Sequence, residues 1–161
     1  MKRINKIGMM KATLFVFGLF AFGVLANAQF VRDLDGVVCA GNDPYTGTYK
    51  TYFDNQQLKV EMNLNEGKKD GIVNIYFDNG GLNEVRSYRN NLMHGTWKTF
   101  DMNGKLTALA NYTNGQKNGE WKIWDEKGTL RSEMMYANGQ KTGTWRIYDE
   151  TGKLVSEKAY N

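Results

Sequence analysis

The sequence has 161 residues, 24% of them charged, and a formal net charge of +4 at pH 7. Residues 1–28 hold four of the 21 lysines and arginines and none of the 17 acidic residues, so residues 29–161 carry 21 − 4 = 17 basic and 17 acidic groups. This neutral balance argues against nucleic acid as a partner, because nucleic-acid-binding domains are usually basic. The one cysteine, Cys39, excludes an internal disulfide.

Residues 1–28 have the three parts of a secretory signal peptide. Four cations precede the apolar run 12–25, and an A-x-A cleavage sequence ends at Ala28. We therefore expect cleavage after Ala28 and export of residues 29–161 to the periplasm or the cell exterior. One alternative is an uncleaved anchor, which the short, glycine-containing run disfavours. The other is lipidation of Cys39, which lies far beyond that run.

Residues 29–46 do not follow the repeat that begins at residue 47, and they contain the only proline, Pro44. Proline suits a lead-in better than a central strand, because it cannot donate a hydrogen bond to a neighbouring strand. An array of repeats also needs protected ends. We therefore predict that residues 29–46 form an N-terminal lead-in that caps the array.

From residue 47 onward one unit of 24 residues recurs five times without an insertion. Counting the first glycine of each unit as position 0, position 5 is always aromatic and position 11 is always leucine. Position 2 is Tyr, Val or Trp, and position 17 is Leu or Tyr. The five units occupy residues 47–70, 71–94, 95–118, 119–142 and 143–161.

Each unit predicts two strands, because aromatic and β-branched residues fall in two runs separated by turn residues. The first turn of the last three units starts with Asp and ends with Gly, which suits a tight hairpin. In the first two units Asp54 and Asp78 lie one position later, so we expect a different turn geometry there. The predicted fold is all-β: an elongated antiparallel β-meander, a single twisted sheet of five two-strand repeats.

Alternation along the strands separates two faces of this sheet. Positions 2 and 4 share one face, so we expect Trp97, Trp121 and Trp145 to belong to the core, and positions 11, 13, 15 and 17 to share one face of the second strand. An aromatic row at position 5, with cations at position 3, is a candidate binding face for glycans or a partner's loop. The alternative is that these aromatic side chains only stabilise the sheet by cross-strand pairing. The candidate residues are Tyr52, Tyr76, Phe100, Trp124, Tyr148, Lys98, Lys122 and Arg146.

Residues suited to catalysis or metal binding are few. His94 occupies the turn position of Asp70 and Asn118 in sister units, which predicts a solvated turn residue; an envelope hydrolase or glycan-active enzyme would have to use it. The aspartates at position 6 are isolated, which fits turn capping better than a calcium loop. Glutamates at position 14 lie two strands apart, about 10 Å, too far to act as a pair. We predict no catalytic site, no metal and no cofactor.

The unit G-x-W-x-x-[YFW]-D-x-x-G-x-L-x-x-E-x-x-Y-x-x-G resembles the MORN-variant repeat over residues 45–161. The resemblance implies an extended, twisted antiparallel sheet that serves as a scaffold, a partner-binding surface or a membrane-lipid contact. Bacterial proteins of this kind are often grouped as YwqK-like antitoxins. That grouping implies an antitoxin or immunity-type role, which in an exported protein would be confined to the cell envelope.

Together these observations predict an exported, non-enzymatic scaffold or interaction module with a protein partner in the cell envelope. The first alternative is binding of membrane lipid or glycan through the aromatic and lysine face. The second is the antitoxin-like role. Free strand edges would also allow an oligomer formed by edge-strand pairing, which the sequence neither requires nor excludes.

Overall fold

The computed structural model describes residues 30–32, 38–40 and 43–161. The predicted signal peptide, residues 1–28 with cleavage after Ala28, lies outside these residues. In the part that is described, no helix is long and apolar enough to cross a membrane.

The described residues form two antiparallel sheets. Three strands belong to a small N-terminal sheet and the others to a large one. The strands are β1 (Phe30–Arg32), β2 (Val38–Ala40), β3 (Asp43–Pro44), β4 (Gly47–Tyr52), β5 (Leu58–Asn65), β6 (Lys68–Tyr76), β7 (Leu82–Arg89), β8 (Leu92–Met93), β9 (Gly95–Phe100), β10 (Leu106–Thr113), β11 (Gln116–Lys117), β12 (Gly119–Trp124), β13 (Leu130–Ala137), β14 (Gln140–Tyr148) and β15 (Leu154–Tyr160).

The large sheet follows the order of the chain from β4 to β15. Each strand pairs antiparallel with the strands before and after it, and the short strands β8 and β11 pair only with β7 and β10. This confirms the predicted all-β antiparallel meander of two-strand repeats. The domain boundaries proposed from the sequence, including the cap at residues 29–46, stay predictions.

A β-bulge recurs in every unit and corrects one expectation about the faces. In the third unit Phe100 pairs with Leu106, but its neighbour Thr99 pairs with Ala108, so one extra residue lies on the second strand. Directly paired residues lie on the same face of an antiparallel sheet. The leucine at position 11 therefore lies with position 5, and the prediction that it shares a face with positions 13, 15 and 17 is wrong. The cause is the bulge, which shifts the alternation by one residue.

The first turns share one backbone geometry in all units, which corrects a second expectation. The amide of Asp101 donates to the carbonyl of the residue four positions later, and Gly104 donates back to Asp101, at 2.9 and 3.0 Å. Phe53 and Gln56 make the same two hydrogen bonds, each 2.9 Å long, in the first unit. Gln56 even takes the positive φ of the turn glycine, 67° against 79° for Gly104. The expected difference in geometry is therefore absent.

What differs between these turns is the capping side chain. The Asp101 carboxylate accepts hydrogen bonds from the amides of Asn103 and Lys105, both 2.9 Å long. In the first two units an asparagine at position 8 is the acceptor instead. The side chain of Asn55 accepts from the amide of Gln57 at 3.0 Å, and that of Asn79 accepts from the amide of Gly81 at 2.9 Å. Turn capping thus explains the repeated aspartates, and a neutral amide replaces the carboxylate where the aspartate is displaced.

The second turns connect each unit to the one before it. The Gly115 amide donates to the Met93 carbonyl, and the Gly139 amide donates to the Lys117 carbonyl, both at 2.8 Å. Asn91 stands where these units have glycine, takes a φ of 67° and makes the same kind of hydrogen bond at 2.9 Å. Asparagine tolerates this left-handed conformation, so the departure from glycine leaves the connection intact.

The most deeply buried side chains of the described residues lie at the N-terminal end. Val38 packs against Met62, Leu64, Val73 and Tyr88, which are between 4% and 9% exposed. A backbone hydrogen bond fixes this arrangement: the Val38 amide donates to the carbonyl of Gly67, in the second turn of the first unit, at 3.0 Å. Beyond these units the sheet has a single layer, with partly exposed side chains on both faces.

Candidate interaction face

One face of the sheet carries a continuous stack of aromatic rings, which we call the ring face. Tryptophans at position 2 alternate with tyrosines at position 17 of neighbouring strands, and consecutive ring centroids are between 4.9 and 5.5 Å apart. Such tilted contacts contribute roughly 0.5–1.5 kcal/mol each beyond burial. The rings are, in order, Tyr88, Trp97, Tyr112, Trp121, Tyr136, Trp145 and Tyr160.

Each tryptophan of the ring face also connects two units through its indole nitrogen. Trp97 Nε1 donates to the backbone carbonyl of Ser87 at 3.0 Å, and Trp121 Nε1 donates to that of Asn111 at 3.1 Å. Trp145 repeats the hydrogen bond at 3.0 Å. The tryptophans are half-buried rather than enclosed in a core. Their predicted structural role is therefore supported, but it is exercised through stacking and bridging on an open face.

Cations lie over these rings, a feature that the sequence analysis missed. The amine of Lys117 is 4.3 Å from the ring centroid of Trp121, and that of Lys141 is 4.4 Å from that of Trp145. Both lysines stand at position 22, in the second turn. A cation at this distance from a ring face is attracted by its quadrupole. The signal was available in the recurring G-Q-K of these turns, but it required knowing which rings the turn approaches.

All eight predicted binding residues lie on the opposite face, which we call the charged face. Position 3 pairs directly with position 14 across the hairpin. As a result Lys122 contacts Glu133 at 3.4 Å, and Arg146 contacts Glu157 at 2.9 Å. Lys122 also contacts Glu120 of its own strand at 2.7 Å. Two of the three predicted cations are thus already paired within the sheet.

The aromatic row at position 5 does not form a ring stack. Tyr76 pairs with Leu82 and Phe100 with Leu106, so an aliphatic side chain separates each ring from the ring of the next unit. None of the position 5 rings makes a ring contact in the described part of the chain. Cross-strand aromatic pairing therefore belongs to the ring face, and the alternative suggested for position 5 is wrong.

Tyr148 joins the charged network. Its hydroxyl donates to a carboxylate oxygen of Glu133 at 2.7 Å. This hydrogen bond lowers the pKa of the Glu133 carboxyl, assisted by Lys122 and opposed by burial, and it raises the pKa of the Tyr148 phenol. The groups satisfy one another, and the described residues contain no cluster that could hold a metal ion.

His94 has a structural partner of its own. Its Nδ1 accepts a hydrogen bond from the backbone amide of Asn114 at 3.4 Å. Asn118 accepts in the same way from Asn138 at 3.1 Å one unit later. Position 23 therefore supplies an acceptor for the next unit's second turn. His94 is half-buried in this role, less open to solvent than predicted.

These features define an all-β repeat protein whose one face holds the sheet together and whose other face presents mixed polar and apolar side chains. Residues 93–114, 117–138 and 141–161 match the family model described as the MORN repeat variant. Residues 93–161 are therefore a run of MORN-variant repeats, as the sequence predicted. The family is non-catalytic, and MORN repeats are commonly protein or membrane interaction modules.

Two solved structures are similar to parts of the chain. One contains accessory secretory proteins 1, 2 and 3 of Streptococcus pneumoniae, at 14% identity and a TM-score of 0.37, over 62% of this chain and 18% of that one. The other is a TarM mutant of S. aureus in complex with fondaparinux, alpha-GlcNAc-glycerol and UDP, at 12% identity and a TM-score of 0.38, over 73% and 21%. The chain thus spans at most 21% of either protein. No curated protein matches it.

Proposed function

We propose that the protein is an exported, non-enzymatic interaction module that binds a protein partner in the cell envelope through its charged face. The observation that carries this proposal is that the two faces of the sheet differ in role: the ring face stabilises the sheet, and the charged face is left for binding. Stacked rings and indole hydrogen bonds on the ring face hold the units together. The charged face is left with a row of aromatic and aliphatic side chains beside cations.

The composition of the charged face suits a protein partner. Tyr, Trp and Arg are the residue types that dominate binding energy at protein interfaces, and Tyr76, Trp124, Tyr148 and Arg146 are all half-buried here. Half-buried rings expose area for contact without requiring much side-chain ordering. Ion pairs between strands hold the neighbouring charges in place, so that face is organised before a partner arrives.

In-cell crosslinking of the tagged full-length chain tests the proposal. A protein partner should be recovered in the envelope fraction by mass spectrometry, and a triple variant, Tyr76→Ala with Phe100→Ala and Trp124→Ala, should lose it. Lys141→Ala on the ring face is the matched control and should retain it. Equal recovery by the triple variant and the wild type would refute the role of the charged face.

Export has its own test, because it depends on residues 1–28. Fractionation of cells should recover the protein outside the cytoplasm, and N-terminal sequencing should begin at Gln29. A protein that stays in the cytoplasm with Met1 intact would contradict the export part of the proposal.

Membrane-surface binding is a second candidate, favoured by one feature of the ring face. Lys158 and Lys141 lie over the ring of Tyr160 at 5.1 and 5.3 Å, and the same face carries Ile147, which is 41% exposed. Lysine beside aromatic rings is typical of membrane interfaces. Sedimentation with anionic phosphatidylserine vesicles at low salt decides between the candidates. Under our proposal the wild type stays in the supernatant, and co-sedimentation that Lys141→Ala abolishes would favour the membrane.

A further inference from the structure

A single row of directly paired residues crosses the charged face through all five units. Its members are the residues at positions 3 and 14, and each is paired with the next across the sheet. In order they are Lys50, Glu61, Asn74, Val85, Lys98, Leu109, Lys122, Glu133, Arg146 and Glu157.

Both ends of this row are internally neutralised. At one end Lys50 contacts Glu61 at 2.8 Å. At the other end two cations and two glutamates alternate, with the ion pairs of Lys122 and Arg146 described above. A carboxylate is thus available at position 14 wherever the neighbouring position 3 carries an ion-paired cation. These ends offer little unsatisfied charge to a partner.

The centre of the row is different. Lys98 is exposed and lies between Val85 and Leu109, which occupy the positions where the flanking units carry glutamate. Lys98 forms no ion pair with any described residue. It is therefore an ammonium group whose cross-strand neighbours are both aliphatic, at the middle of an otherwise neutralised row.

Along its own strand Lys98 has an apolar neighbour on one side and a polar one on the other. Phe100 lies two residues further on the same face, whereas Thr96, two residues before Lys98, donates a hydrogen bond to the side chain of Asn111 at 2.8 Å. Apolar neighbours exclude water from an ion pair and so strengthen it. A group that supplies a negative charge together with apolar contacts would be complementary to this centre.

We propose that Lys98 is the anchor of the interaction face and binds an aspartate or glutamate of the partner that is flanked by apolar side chains. The inference rests on the proposed function and specifies its partner chemistry. A protein segment fits better than a membrane, because a single lysine is attracted only weakly to an anionic membrane surface. The other cations of this row are paired, and a membrane needs several free ones.

The substitution Leu109→Glu provides a direct test. It gives position 14 of the third unit the glutamate that Glu61, Glu133 and Glu157 supply in the first, fourth and fifth, so the fold should tolerate it. The new carboxylate would lie between Lys98 and Lys122, and it would pair with Lys98 because Lys122 already contacts Glu120 and Glu133. Leu109→Gln is the matched control for polarity without charge, and Lys50→Ala is the control for a paired cation of the same row.

The probe is a phage-displayed library of random twelve-residue peptides panned against the full-length protein. Enriched peptides should carry an acidic residue between apolar ones. By fluorescence anisotropy Leu109→Glu and Lys98→Ala should each weaken binding about tenfold or more, equivalent to roughly 1.4 kcal/mol. Leu109→Gln should weaken it less than Leu109→Glu, and Lys50→Ala should leave it unchanged.

Three outcomes would overturn the inference. The first is enrichment of peptides without acidic residues, and the second is equal binding by Lys98→Ala and the wild type. In both cases loss of binding in Phe100→Ala would still support the charged face as the interaction face. The third is no enrichment at all, which rejects the inference and leaves the proposed function to the crosslinking experiment. Thermal unfolding of Leu109→Glu at or above the wild-type temperature verifies that its fold is intact.

Discussion

The first two units and the last three share one backbone but are stabilised in different ways. In residues 47–94 apolar side chains such as Val73 and Leu64, each 4% exposed, pack beneath Val38. In residues 95–161 no side chain is buried to that extent, and stacked rings with indole hydrogen bonds take over. The turns, bulges and register are the same in both regions. A repeat backbone can therefore be stabilised either by a covering layer or by contacts within one exposed face.

The family model follows the same division, since it matches residues 93–161 and not the first two units. The difference lies in few positions. Position 2 is Trp97, Trp121 and Trp145 in the matched region, but it is Tyr49 and Val73 before it. The matched region thus coincides with the units whose position 2 is tryptophan, while the hydrogen-bond framework extends beyond it.

Breaking the framework that both regions share should have the largest effect. Gly119 has a φ of 99°, and a side-chain carbon there would lie 3.3 Å from Cβ of Asn111. Gly119→Val should therefore cost about 3 kcal/mol of unfolding free energy, from backbone strain and this contact. Urea unfolding measures it. Gly139→Val is the control, because its φ is 83° but nothing lies within 4 Å, and it should cost less. Equal stability of Gly119→Val and the wild type would refute the turn analysis.

Damage to the N-terminal core comes next. Val73→Ala removes two methyl groups at a site that is 4% exposed, and it should cost about 2 kcal/mol by lost burial and the cavity left behind. Amide hydrogen exchange should locate the loss in residues 47–94. Ile123→Ala, at a side chain that is 44% exposed on the same face, is the control and should cost less. Faster exchange spread evenly over all five units would contradict the separation into two regions.

Removing one indole hydrogen bond from the last three units should have a smaller effect. Trp121→Phe keeps an aromatic ring between Tyr112 and Tyr136 but leaves the Asn111 carbonyl without its donor. We expect a loss of about 1 kcal/mol in urea unfolding. If the phenylalanine variant were as stable as the wild type, stacking alone would account for the role of the tryptophan.

Lowering the pH should have the smallest effect, and it should affect the aspartate-capped turns but not the asparagine-capped ones. The hydrogen bond from the Thr151 hydroxyl, with backbone amides, lowers the pKa of Asp149 below its ordinary 3.8 in the folded state. A depressed folded pKa stabilises the turn above the unfolded pKa, and this stabilisation is lost as pH falls through the folded pKa. In the first turn of the fifth unit, the protection of backbone amides against hydrogen exchange should therefore decrease below about pH 4. Asp149→Asn should remove that pH dependence. The turn capped by the neutral Asn55 should show none.

Much of the fold follows from the sequence because the period is strict. Lead glycines at residues 47, 71, 95, 119 and 143 all take positive φ, as their repetition suggested. The turns were recognisable from Asp, Asn and Gly, which have specific backbone preferences. The bulge was not, since an extra residue such as Thr107 has an ordinary strand composition and only the pairing of Phe100 with Leu106 reveals it.

The site was predicted less completely than the fold. Alternation along one strand assigned Lys98, Lys122 and Arg146 to one face, but it does not indicate which residues of other strands lie beside them. The different surroundings of Lys98 and Lys122 depend on Val85 and Glu133, which come from different strands, because Leu109 is a neighbour of both lysines. Predicting the stack of the ring face also required the register between strands, because position 17 of one unit contacts position 2 of the next. Pairing across strands is a tertiary property that alternation within a strand does not contain.

The stacked rings of the ring face have an optical consequence. Seven aromatic chromophores at nearly constant spacing, each tilted against the next, absorb light as a coupled set rather than as independent side chains. Their near-ultraviolet circular dichroism should therefore be strong and should depend on the order of the whole stack. The stack from Tyr88 to Tyr160 thereby provides an intrinsic spectroscopic reporter of how the last three units are joined.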